Sequence, residues 1–131
     1  PIGTLCRPLE PGRAADPNAV KVVRRLDGRA LYFSRSTVPH PRDEEAARRL
    51  WRLHLGIYAF RPDDLERFVA LGPSGLERAE GLEQLRALEN GMDLLVLDAP
   101  DDACGVDTPE DLERVERRLT STSVATDSEG G

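Results

Sequence analysis

The chain has 131 residues and a formal net charge of −6, with 39% hydrophobic and 32% charged residues. That balance fits one soluble globular domain and excludes a collagen-like or wholly disordered chain, and no apolar run approaches the ~18–20 residues of a membrane span. Net negative charge argues against a general nucleic-acid binder, and two cysteines, Cys6 and Cys104, are too few for a disulfide framework, so a reducing cytoplasm is the expected compartment. Residues 1–19 are rich in Pro and Gly, contain Asp16-Pro17-Asn18, and read as loop with at most one short element. Residues 20–25 and 30–33 are strand-like runs flanking Asp27-Gly28, the composition of a tight hairpin. Residues 34–41 leave it extended, because each Pro disfavours helix in the residue before it. Residues 43–51 read as a short helix or a charged connector. Residues 53–60 form a strand, with Leu53, Leu55, Ile57 and Ala59 on one side and His54, Gly56, Tyr58 and Phe60 on the other. Pro62 opens a helix that runs to about Leu71. After the break at Gly72-Pro73-Ser74-Gly75, a second helix is expected over 76–89, burying Leu82, Leu85 and Leu88 and stopping at Asn90-Gly91. Residues 94–97 are a short strand and 98–105 an acidic loop. Thr108 caps a last helix, with Pro109 in its first turn, Asp111 closing a capping-box-like pair, and Leu112, Val115 and Leu119 as its stripe. Residues 120–131 read as a disordered tail. The order is mixed α/β, with helices covering a sheet. Neither a G-x-G-x-x-G turn nor a Walker A lysine is present.

Charge is unevenly spread. Residues 1–60 carry 11 basic and 6 acidic residues, a net of +5, whereas residues 61–131 carry 7 basic and 18 acidic residues, a net of −11. A basic first half can meet an anionic ligand and an acidic second half can hold a cation; alternatively both are solvated surface. Arginine supplies 17 of the 18 basic residues, leaving Lys21 as the single lysine, a bias without a physical account at this level. The chain opens at Pro1 without Met, as expected for part of a longer protein.

Asp107 follows a strand and a Gly and precedes a capped helix, where α/β sheets place ligands; it can hold Mg²⁺ with waters and phosphates, or simply favour the helix N-terminus. His54 and Tyr58, four apart on one strand, share a face and can hydrogen-bond polyol hydroxyls, or they belong to an ordinary sheet face. Glu83 and Gln84 sit among polar residues, including Glu77 and Glu80, that also suit a solvated helix face. Arg35, after Ser34 at a strand end, can clamp a carboxylate or phosphate, or make a surface ion pair. Cys104 has no nearby base and reads as structural. Trp51 and Arg52 suit either an interface anchor or the edge of the core.

Several motifs taken together carry a resemblance. Asp16-Pro17-Asn18-Ala19-Val20-Lys21-Val22-Val23, Ala30-Leu31-Tyr32-Phe33-Ser34-Arg35-Ser36, His54-Leu55-Gly56-Ile57-Tyr58-Ala59-Phe60-Arg61, Leu82-Glu83-Gln84-Leu85-Arg86-Ala87-Leu88-Glu89 and Gly105-Val106-Asp107-Thr108-Pro109-Glu110-Asp111-Leu112 occur in the order found in the 3-deoxy-manno-octulosonate (KDO) cytidylyltransferases, the CMP-KDO synthetases of lipopolysaccharide synthesis. The chain resembles the C-terminal half of that family over residues 5 to 119. The resemblance implies an α/β fold, part of a three-layer nucleotide-diphospho-sugar transferase-like sandwich with a mixed sheet, in which 1–119 carry the sugar-acid pocket and one Mg²⁺ ligand and 120–131 are tail. It implies that CTP and KDO give CMP-KDO and diphosphate, in a cytoplasmic homodimer with no nucleic-acid or membrane partner. Asp107 is then the Mg²⁺ ligand and catalytic residue of this half. Ser34, Arg35, His54, Tyr58, Glu83 and Gln84 line the KDO site, with Arg35 suited to the sugar carboxylate. The family's N-terminal half, with its phosphate-gripping loop, cytosine pocket and second Mg²⁺-binding Asp, has no counterpart here. The connector 41–53 is short and Arg-rich, and the tail after Leu119 does not match. The isolated chain is therefore expected to be catalytically incomplete. A KDO-binding or dimerisation module, or an enzyme for another 2-keto sugar acid, are the alternatives.

Overall fold

Strand pairing between segments far apart in sequence decides this fold. The computed structural model describes residues 1–100, 109–110, 112–113 and 115–117. Strands β1 (Ile2–Pro8), β2 (Lys21–Arg24), β3 (Ala30–Ser34), β4 (Arg52–Ala59) and β5 (Leu94–Asp98) form one sheet in the order β3-β2-β4-β1-β5. β1 runs parallel to β5 and antiparallel to β4, and β2 is antiparallel to both β3 and β4, so the sheet is mixed, as the motifs imply.

β1 corrects the expectation of loop over residues 1–19. Ile2, Thr4 and Cys6 alternate inward and are buried, and strands flank them on both sides. Those partners lie some 50 and 90 residues downstream, and long-range pairing overrides the weak local signal of Gly3 and Pro8. The loop reading holds further on, where Pro11–Arg13 make one 3-10 turn and the Asp16 carboxylate accepts from Asn18 N at 2.8 Å.

The expected hairpin forms as β2 and β3, with Gly28 at φ 85° in its turn. Its tip reaches β5, where Arg29 bridges Leu95 and Val96 N donates to Gly28 O at 2.9 Å. α1 (Glu44–Leu50) is capped by Asp43, whose side chain accepts from Ala46 N at 3.0 Å. Trp51 belongs to the core: it is buried with Leu9, Ala14, Ala19 and Ala47, and its Nε1 donates to Pro39 O. α2 (Pro62–Ala70) starts at Pro62 as expected.

The single helix expected over 76–89 is two. α3 (Gly75–Glu80) opens on a capping box between Ser74 and Glu77 and ends where Gly81 turns left-handed at φ 65°. α4 (Gln84–Glu89) then restarts in a new direction, which carries Leu82, Leu85 and Ala87 into the main core with Ile2, Cys6, Val22, Phe33, Met92, Leu94 and Val96. No helix among the described residues is long and apolar enough to cross a membrane.

The chain divides into two compact units, Pro1–Ala99 and Pro100–Gly131. In the second, the described residues from 109 to 117 are helical, as expected for the last helix, with Arg117 paired to Glu113 at 3.8 Å. Cys104, Asp107, Thr108, the boundary at 119 and the tail 120–131 lie outside the described residues.

Candidate functional site

β4 positions the first two site residues. Its register with β1 pairs Thr4 with Tyr58 and Cys6 with His54, so residues 55–57 face the single residue Leu5. This bulge turns on Gly56, at φ 67°, a conformation that L side chains rarely adopt. The bulge interrupts the simple alternation at 55–57. Because it adds two residues, His54 and Tyr58 stay on one face, their rings 5.5 Å apart.

His54 is buried, with its ring edge-on to Phe33 at 4.8 Å. Burial disfavours the imidazolium and pushes His54 down to about 4, so the ring is neutral near pH 7. Its Nε2 lies 2.9 Å from Thr4 Oγ1, and that hydroxyl donates to Ile57 O at 2.8 Å. Tyr58 is pushed well above its ordinary range by burial and then by the charge of Glu83.

Next to Tyr58 lies a cleft of about 130 Å³. Tyr58, Phe60 and Phe68 wall one part of it, and Glu83 and buried Gln84, at the start of α4, supply its polar groups. The break at Gly81 therefore matters to the site: a continuous helix would not begin anew beside Tyr58. The structure thus brings Tyr58, Glu83 and Gln84 to one cleft, with the His54 ring against Tyr58.

Ser34 and Arg35 sit in a different setting at the end of β3. Buried Ser34 donates to Glu80 Oε1 at 2.6 Å, and Arg35 N donates to Glu80 Oε2 at 2.9 Å. The Arg35 guanidinium donates to the carbonyls of Glu80 (2.7 Å), Pro17 (3.0 Å) and Gly81 (3.4 Å). It ties β3, the loop before β2 and the α3–α4 break together. Burial opposes the charge of Glu80, and bonds from Ser34, Arg35 N and Tyr32 outweigh it, holding the carboxyl below its ordinary range.

Sequence reasoning passed over Lys21 and Thr4. Lys21 is fully buried, and its Nζ donates to Asp16 O at 2.8 Å and Arg35 O at 2.6 Å. Burial lowers its pKa. Its signal was present: one lysine among 17 arginines marks a place where a compact ammonium suits better than a planar fork. Thr4 carried no comparable signal. Among the described residues no three His, Cys, Asp or Glu side chains converge as a cation site, and Asp107 lies outside them.

The family model for Cytidylyltransferase matches residues 3–94, from β1 to the first residue of β5. The chain belongs to the cytidylyltransferase family. It is 54% identical over 118 residues to the 3-deoxy-manno-octulosonate cytidylyltransferase of Acidobacterium capsulatum, covering 90% of this chain and 48% of that protein. The enzyme of the same name from Koribacter versatilis is 53% identical over 120 residues, with 92% and 45% covered. A solved structure of CMP:2-keto-3-deoxy-manno-octonic acid synthetase complexed with CTP superposes with a TM-score of 0.83 at 41% identity, covering 93% of this chain and 50% of that one. The α/β fold is therefore that of a cytidylyltransferase, and the chain spans about half the length of the curated relatives it matches.

Proposed function

We propose that this chain forms the sugar-acid half of a 3-deoxy-manno-octulosonate cytidylyltransferase, which joins CTP and KDO to give CMP-KDO and diphosphate. In that reaction the anomeric oxygen of KDO bonds to the α-phosphorus of CTP, the bond from that phosphorus to the diphosphate breaks, and the hydroxyl proton is lost. The observation that carries the reading is the cleft beside Tyr58 in a chain of this family: Glu83, Gln84 and the Tyr58 hydroxyl present acceptors and donors against aromatic walls, which suits a polyol. Tyr58, Glu83 and Gln84 hold the hydroxyls of the sugar, and His54, with its ring packed against Tyr58, belongs to the same site. The sugar carboxylate falls to Arg35, beside Ser34, because its guanidinium has N–H groups beyond those given to the three carbonyls.

The phosphates of CTP are the business of the half that this chain does not span, so the chain alone gives no turnover and gains it when the remainder of the domain is supplied. Mg²⁺ held by Asp107 would offset charge on the phosphates, a task that one or two carboxylates suffice for. The reading places the reaction in the cytoplasm, where CTP is made, and in a homodimer of the complete enzyme.

Titration calorimetry of the chain with KDO tests it. Saturable binding that weakens in Gln84→Ala and Tyr58→Phe is expected. No binding to wild type, or binding indifferent to both substitutions, overturns the reading.

A further inference from the structure

The cleft has a support that its own residues do not explain. Thr4 is buried in β1, and its single hydroxyl proton goes to Ile57 O at 2.8 Å. A hydroxyl has one proton and two lone pairs, so toward His54 Nε2, at 2.9 Å, Thr4 can only accept. Nε2 must then carry the hydrogen. A neutral imidazole has one N–H, which leaves Nδ1 with a lone pair. No described residue bonds Nδ1, and it is not among the sealed, unbonded side-chain atoms, so it stands as the unused acceptor of the ring among the described residues. The rings of Phe33 and Tyr58, at 4.8 and 5.5 Å, hold the imidazole from two sides.

Ile57 O is available to Thr4 because of the bulge. In a regular antiparallel ladder a carbonyl pairs with the opposite backbone, whereas here residues 55–57 face Leu5 alone and the left-handed Gly56 turns the chain at that point. The bulge therefore fixes the direction of the Thr4 hydroxyl, and the hydroxyl fixes the imidazole.

We propose that Thr4, braced by the bulge at Gly56 and Ile57, is a positioning residue that holds His54 as the Nε2–H tautomer, so that Nδ1 accepts from a hydroxyl of the bound sugar acid. The site then selects a donor at that point and disfavours a carbonyl or carboxylate there, which would set two lone pairs against each other. The part of this that concerns the sugar rests on the reading of the cleft as a sugar-acid site.

Long-range ¹H–¹⁵N correlation spectra of the histidine-labelled chain at pH 7, with His40→Gln used for assignment, read the tautomer directly. Wild type and Thr4→Ser should show His54 protonated at Nε2 alone. Thr4→Val, which keeps the shape and loses the hydroxyl, should show a mixture, with KDO affinity lowered about tenfold while Thr4→Ser stays near wild type. Adding KDO to wild type should move the Nδ1 resonance. A wild-type Nδ1–H tautomer overturns the proposal even if Thr4→Val fails to fold, as does an unchanged tautomer in folded Thr4→Val. Binding of KDO that leaves Nδ1 unmoved overturns the proposal and spares the sugar-acid reading, whereas no binding at all overturns that reading.

Discussion

Two polar clusters lie on either side of the α3–α4 break, and they are built to opposite rules. In the cluster of Lys21, Ser34, Arg35 and Glu80, the ammonium, the guanidinium and the carboxylate each bond to partners in the chain itself. In the cleft of Tyr58, Glu83 and Gln84, with the His54 ring behind it, polar groups stand against Phe60 and Phe68 without comparable intrachain bonds. Groups bonded within the chain hold the architecture, with Arg35 keeping N–H groups beyond its three carbonyls, and groups left without such bonds beside apolar walls are free for a ligand. The motif stretches include both clusters, and geometry separates them.

The comparison breaks most visibly at Lys21. Lys21→Met removes the buried ammonium that joins Asp16 O to Arg35 O and leaves Asp16 O with the Ala19 N–H alone, so stability should fall by about 3 kcal/mol with no direct effect on the cleft. Chemical denaturation measures it, and a loss under about 1 kcal/mol would mean that the cluster is not the anchor described.

The pH dependence of stability sharpens the other side. His54 is held down to about 4 in the folded chain by burial, against an ordinary 6.5 when unfolded. Between these values the unfolded chain binds a proton that the folded one refuses, so stability falls as pH drops from about 6.5 to 4. The full effect is on the order of 3 kcal/mol. His54→Gln should flatten that window. The carboxylates held low, among them Asp16, Asp27, Glu77, Glu80 and Asp98, lose their contribution as pH falls from their ordinary values through the lowered folded ones, at the acid end of the His54 window and beyond it. Equal slopes in wild type and variant would remove the assignment.

Gly81→Ala probes the hinge between the two clusters. A Cβ at φ 65° is strained, which should cost about 1–2 kcal/mol and weaken KDO binding as α4 shifts. Tyr58→Phe is the smallest change. Its hydroxyl bonds nothing in the described chain, so unfolding should move by less than about 0.5 kcal/mol while KDO affinity drops by about 1 kcal/mol in calorimetry. A variant that loses stability and keeps affinity would place Tyr58 with the architecture instead.

Local chemistry made most of this fold legible. Asp27-Gly28 marked the hairpin, Pro62 the start of α2 and Asn90-Gly91 the end of α4, because turn and cap residues act over a few positions. β1 was not legible, since its stability comes from strands far away in sequence. The break at Gly81 was hidden by Leu82, Leu85 and Leu88, whose spacing a continuous helix would also satisfy. In the site, Tyr58, Glu83 and Gln84 were readable by motif and are found together. The bonded state of Arg35 depends on three carbonyls from separate segments, and Thr4 reaches His54 across two strands, contacts that no spacing along one chain encodes.

β1 is made before either strand that flanks it in the sheet. At roughly 5–20 residues per second of synthesis, the ~90 residues from β1 to β5 take on the order of 5–20 s, and through that interval one edge of β1 has no ladder to join. A nascent chain therefore carries an apolar strand of Ile2, Leu5 and Cys6 that can pair with the wrong neighbour until Leu94–Asp98 emerges. Thr4, which steadies the site in the finished protein, spends its first seconds in the segment most in need of chaperoning.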